Sequence, residues 1–138
     1  MTNAADTLHW SSLAAPDAEA FAALAERAFE GLPESFRARC GDIVVRVEEF
    51  PDDEIAEDMG LESPFDLLGL YQGVDRIARG VEPAAPSFVF LYRRPILDVW
   101  AEGEETLGHL VTHVLIHEIG HHFGLSDADM HAIEEAAG

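Results

Sequence analysis

The stretch VLIHEIGHHFGLSD, Val114 to Asp127, restricts what this chain can fold into more than any other. An apolar helix carries three histidines and a glutamate in its last two turns, then meets a glycine and, three residues on, an aspartate. Packing alone has no use for that chemistry. His117 and His121 are one helical turn apart, so both rings leave the same face and can meet one small cation at the roughly 2.0 to 2.1 Å expected between zinc and imidazole. Glu118 lies about 100° round from His117, far enough not to ligate and near enough to act on a water at the metal as general base. Gly124 can turn left-handed, end the helix and fold the chain back toward the metal, where Asp127 arrives. Its carboxylate completes three protein ligands and leaves a fourth position for water, the pattern of a catalytic rather than a structural zinc site.

Each of these assignments has a rival. An acidic residue just after the helix-capping Ser126 is favoured by the helix dipole with or without metal, so Asp127 has a plain structural reading too. His131 is an alternative third ligand and Glu134 another, both further along a helix that leads away from the turn. His109 and His113 extend the four-residue ladder, yet each step rotates about 40°, which carries them off the site into supporting or plain polar roles. His122 points to the back of the helix with Leu115 and Ile119 and reads as a core histidine. Met130 reads as core. Tyr71 could donate to a transition-state oxyanion or simply pack.

Composition narrows the partners. All eight basic residues are arginine and face 27 acidic ones, a formal charge of −19. Such a surface repels phosphate backbones, which argues against nucleic-acid binding, and mostly serves solvation. With 48% hydrophobic residues in a chain of 138, one domain can bury a real core. No apolar run approaches the roughly 20 residues that span a bilayer, so no membrane association is expected. A lone Cys40 excludes an internal disulfide, and the start MTNAADTLHWSSLAA lacks the features of a signal peptide, which makes the cytoplasm the expected compartment. Cys40 reads as an inert small hydrophobe rather than a zinc-masking switch.

Along the chain, Met1 to Ala15 lacks a period and reads as a loose arm. After Pro16, Phe21, Leu24, Ala25, Ala28, Phe29 and Leu32 recur at helical spacing, with Gly31 and Pro33 as the stop. A short helix is expected at Glu34 to Arg39. Asp42 to Pro51 alternates Ile43, Val45 and Val47 against Val44, Arg46 and Glu48, a strand. The acidic residues 52–64 read as a solvated turn, Leu67 to Gly73 as an edge strand, residues 76–87 as a loop, and Ser87 to Arg94 as a strand ended by Pro95. Arg93 and Arg94 read as surface partners for acidic residues. The longest helix is expected from about Glu102 to Leu125, and a terminal helix opens at Ser126 with Asp129 completing its capping box.

His117-Glu118-x-x-His121-x-x-Gly124-x-x-Asp127 resembles the shortened zincin signature HExxHxxGxxD of snapalysin-type peptidases. The wider context, LPESFRARCGDIVVRVEEFP, LLGLYQG, LYRRPIL and HEIGHHFGLSDADM, resembles the small bacterial zincin-like metallopeptidases from about Pro16 to Met130. The resemblance implies an α+β, minimal zincin-like fold: a small mixed β-sheet packed on a backing helix and a central active-site helix, with a peptide or protein substrate lying along an edge strand. The function it implies is hydrolysis of peptide bonds by a zinc-activated water, with one Zn2+ held by His117, His121 and Asp127 and Glu118 as base. Two other readings are weighed beside it. One is a metal-stabilised peptide-binding module that does not cut; the other is a zinc-dependent endoribonuclease, which the glutamate after the first histidine and the acidity of the chain oppose.

Overall fold

The computed structural model describes residues 9–73 and 87–137. Residues 9–15 are exposed, with one helical turn at 9–11; the rest of the sequence-predicted arm, and the predicted loop up to Pro86, lie outside the described residues. Helix α1, Ala18–Glu30, begins where the Asp17 carboxylate accepts from the Ala20 amide at 2.8 Å and ends at Gly31. It buries Phe21 and Ala25 completely, the face its apolar spacing predicts. Helix α2, Glu34–Cys40, adds Phe36 and Cys40 to the same core. Burial of the Cys40 thiol pushes its pKa up to about 11, the state of a packed rather than a reactive cysteine.

Strand β1, Ile43–Glu48, alternates as predicted, with Ile43, Val45 and Val47 turned to the core. Strands β2, Gly69–Gln72, and β3, Ser87–Tyr92, complete a three-stranded mixed sheet of order β1-β3-β2. The central β3 runs parallel to β1, pairing Val45 with Val89, and antiparallel to β2, pairing Leu70 with Phe90. Among the described residues β2 is therefore an edge strand, with its second side unpaired.

Two stretches depart from the sequence reading. Inside the acidic segment 52–64 lies helix α3, Asp53–Asp58, capped by the Asp52 carboxylate on the Ile55 amide at 2.8 Å and closed by Gly60 at φ 63°. Charge in a first turn favours a helix as much as it favours solvation. The strand expected to run to Arg94 stops at Tyr92, where helix α4, Arg93–Glu102, begins. Pro95 does not terminate it, because amides in the first turn have no intrahelical acceptor and a missing N–H costs nothing there. Arg93 ties this junction down through Glu49 Oε1 at 2.7 Å and the Pro16 carbonyl at 2.8 Å. Arg94 stacks over Phe50, with its guanidinium carbon 5.7 Å from the ring centre.

The expected long helix is shorter at both ends. Helix α5, Leu107–His122, starts after Thr106, whose hydroxyl accepts from the His109 amide at 3.1 Å. Seven of its residues, from Leu110 to Gly120, are buried between α1, the sheet and the last helix, α6, Asp127–Ala137. Fully burying a side chain such as Leu115 or Ile119 contributes about 1.5 to 3 kcal/mol. α5 and α6 close on each other because Gly120 has no side chain: a Cβ there would stand 2.6 Å from Met130 Sδ. Met130 is core, as the sequence suggests. No described helix is long and apolar enough to cross a membrane.

Candidate metal centre

The turn that ends α5 follows from one glycine. Gly124 stands at φ 70°, its amide donating to the His121 carbonyl at 3.1 Å, while the Leu125 amide reaches back to the Gly120 carbonyl at 2.9 Å. These two bonds satisfy carbonyls that the helix end would leave orphaned and reverse the chain within four residues. Ser126 then starts α6: its hydroxyl accepts from the Asp129 amide at 3.1 Å while the Asp129 carboxylate accepts from the Ser126 amide at 3.2 Å. This is the predicted capping box. Asp127 is thereby the first residue of α6, exposed to solvent, with its charge acting on His117.

The histidines of α5 form a ladder whose rungs differ in environment. His117 packs edge-on against His121 with ring centres 5.7 Å apart, and against His113 at 4.0 Å. His117 is half-buried and His121 exposed. Burial, and the neighbouring His113, hold His117 below the ordinary histidine range, which favours the neutral imidazole that binds metal. His109 is turned outward to Glu105 at 2.6 Å, off the site as its rotation predicts.

Glu118 faces the edge strand. A Cβ at Gly69 would come within 3.3 Å of the Glu118 Cγ and 2.9 Å of the Phe90 carbonyl and Val114, so the bare glycine lets β2 press directly onto the helix. Burial raises the Glu118 carboxyl above its usual range, against the opposing pull of His121. A carboxylate moved that way has its affinity for a proton shifted toward neutral pH, as proton transfer requires. A cleft of about 250 Å³ opens at this point, lined by Leu68, Val114, Glu118, His113, His117 and His121.

The sequence reading names Glu134 as a rival third ligand but sets His113 aside, and the structure brings the two together at His117. Among the described residues, His113, His117 and Glu134 offer ligand atoms that all lie within 4.8 Å of one another; His121 and Asp127 do not join that set. Glu134 reaches His113 Nδ1 and stands 3.6 Å from His117 Nε2. That oxygen is buried against the two imidazoles, so the three side chains present a compact set of donors to a cation. These residues therefore fit a divalent metal. The sequence held a signal for Glu134: it follows Asp127 by seven residues, two helical turns, so both share the face of α6 that Met130 seats on α5. The 40° drift from His113 to His117 is likewise too small to separate neighbouring rings.

Three other sequence candidates lie elsewhere. His131 is on the open side of α6, its side chain 69% exposed, paired with Glu135 at 3.1 Å. Tyr71 stacks on His122, ring centres 4.1 Å apart. That stack also corrects the expectation of a core histidine: His122 is exposed among the described residues and lies against the end of β2, because it is the last residue of α5.

Residues 40–137, from the last residue of α2 to the last of α6, match a family model described as zincin-like metallopeptidase. No curated protein matches the chain.

Proposed function

The chain belongs to the zincin-like metallopeptidases, and from that premise we propose that it is a zinc-dependent peptidase using Glu118 as general base, with His117, His121 and Asp127 as the metal ligands. The observation that carries the reading is Glu118: a half-buried carboxyl with a raised pKa, one residue from His117, facing a cleft beside an edge strand. A purely structural metal site needs no such group. Zinc bound there would polarise a scissile carbonyl and make water acidic enough to react near neutral pH.

The chain's own residues do the rest. A peptide adds, as a further strand, to the side of β2 that is unpaired among the described residues, its main chain supplying the affinity. Glu118 takes the proton of the attacking water and returns it to the leaving amine. His113 and Glu134 hold His117 in its orientation from behind, the kind of support that fixes a ligating ring.

One observation favours a second reading. His113 and Glu134 come close enough to His117 to occupy the position that a catalytic site keeps open, which would make the centre a metal-stabilised peptide-binding module. A single experiment separates the two. Zinc-loaded protein and its Glu118→Gln variant are given a mixed peptide library, and zinc content is measured in both. The peptidase reading expects equal zinc and a loss of turnover of about 10²- to 10⁴-fold in the variant. Equal digestion by both proteins, or peptide binding without any turnover, contradicts it.

A further inference from the structure

A second cleft, about 360 Å³ in volume, lies on the face of the sheet away from α5, where α3 meets the strands. Its floor is aromatic, from Phe50 and Phe90, and its walls carry four carboxylates: Glu48, Asp52, Glu54 and Asp58. Among the described residues none of the four takes part in an ion pair, and the nearby Arg93 and Arg94 are engaged with Glu49 and with the face of Phe50.

Acidity alone would say only that this surface is solvated. The independent sign of a ligand is Tyr92, which lines the cleft at 1% exposure and keeps its hydroxyl buried without a hydrogen-bond partner. A buried, unsatisfied phenol costs free energy that an incoming donor can recover. Its surroundings have a sign as well: burial and the charges of Asp52, Glu48 and Glu118 push Tyr92 up to about 12. The hydroxyl thus sits in a field that favours a cation.

Position links the cleft to the metal centre. Tyr92 donates its amide to the Leu68 carbonyl at 2.9 Å, and Leu68 lines the cleft of Glu118. The two hollows lie on opposite faces of the sheet along β2, the one reaching Leu68 and the other Gln72. A peptide strand added to β2 would send alternate side chains to the two faces, so residues on either side of the one at Glu118 point to the acidic face. Gln72, on the edge strand, is part of the acidic wall.

We infer that the cleft bounded by Glu48, Glu54, Asp58 and Tyr92 is a specificity subsite for a lysine or arginine side chain close to the scissile bond. An aromatic floor with a carboxylate rim suits a side chain that is apolar along its stem and charged at its tip. This rests on the peptidase reading for its place in the reaction, though not for the binding itself.

The test uses paired short peptides that differ only in lysine against norleucine, carried on an otherwise neutral sequence and labelled for anisotropy. Zinc-loaded wild type, the triple variant Glu48→Gln/Glu54→Gln/Asp58→Asn, and a control Glu19→Gln/Glu102→Gln/Glu104→Gln with the same change of net charge are compared for binding and for cleavage. Wild type and control should prefer the lysine peptide by about tenfold or more, and the triple variant should lose that preference while keeping its affinity for norleucine. Tyr92→Phe should raise the melting temperature of the free protein and weaken lysine binding severalfold. Lysine preference that is absent in wild type, retained in the triple variant, or lost equally in the control overturns the subsite. Charge-dependent binding without cleavage leaves the subsite standing and removes the peptidase reading instead.

Discussion

On one side of α5, Leu115, Ile116 and Ile119 have no exposed surface at all, whereas on the other His117 and Glu118 are half-buried and His121 is open to solvent. The two sides are one helix with one set of backbone bonds, so propensity cannot distinguish them. What differs is the reason for each residue. The apolar side is chosen by volume and by what α1, the sheet and α6 leave to be filled, and a change there is felt throughout the core. The histidine side is chosen by donor chemistry at helical spacing, and it carries a buried carboxylate oxygen from Glu134 set against His113 and His117, which no packing argument would select. Gly120 marks the seam, where α6 seats on α5 and brings Glu134 to His113 and His117.

If this division holds, the largest effect of truncation falls on the apolar side. Ile119→Ala should destabilise the metal-free protein by about 2 to 5 kcal/mol in urea unfolding and leave the zinc stoichiometry of the folded fraction unchanged. A loss of zinc at unchanged stability would break the comparison. On the opposite side the dependence reverses. Zinc at a hundredfold excess over its dissociation constant should stabilise wild type by about 2.7 kcal/mol, an increment that a chelator removes. His121→Ala should match wild type without metal to within about 0.5 kcal/mol and gain little from zinc. Equal zinc stabilisation of both proteins would show the ladder histidine to be ornamental.

The smallest effect sharpens the apolar side by its pH dependence. Cys40 titrates near 9.0 when unfolded and about 11 in the fold, so the stability it lends is complete below pH 9 and lost as pH rises toward 11. Compared with Cys40→Ala, wild type should lose on the order of 1 kcal/mol more across that window, measured as urea midpoints at pH 8 and above. Parallel pH profiles would mean that the thiol is not held in the core.

Much of this was readable from the chain because it is local. The spacing of Phe21 and Ala25, the alternation at Ile43 to Val47, the left-handed turn at Gly124 and the box of Ser126 with Asp129 all depend on neighbours a few residues apart. What escaped depends on context. Helix α3 is capped at both ends by Asp52 and Gly60, yet its acidic composition reads as solvated turn. Pro95 looks like a terminator until its place in a helical first turn is known. Of the candidate metal centre, the sequence places His117, Glu118 and His121 within two turns of one helix, α5, and the structure has them there around one cleft. The meeting of His113 with Glu134 requires the angle between α5 and α6, which Gly120 and Met130 set through tertiary packing.

The central claim is that the end of α5 and the start of α6 form one zinc centre with two imidazoles and a carboxylate. Zinc-edge X-ray absorption on protein loaded with one equivalent tests it most directly. The account predicts a four-coordinate shell of nitrogen and oxygen at about 2.0 to 2.1 Å, with scattering from two imidazole rings that drops to one in His121→Ala. A shell of six oxygens, sulfur from Cys40, or an imidazole count untouched by His121→Ala would contradict it.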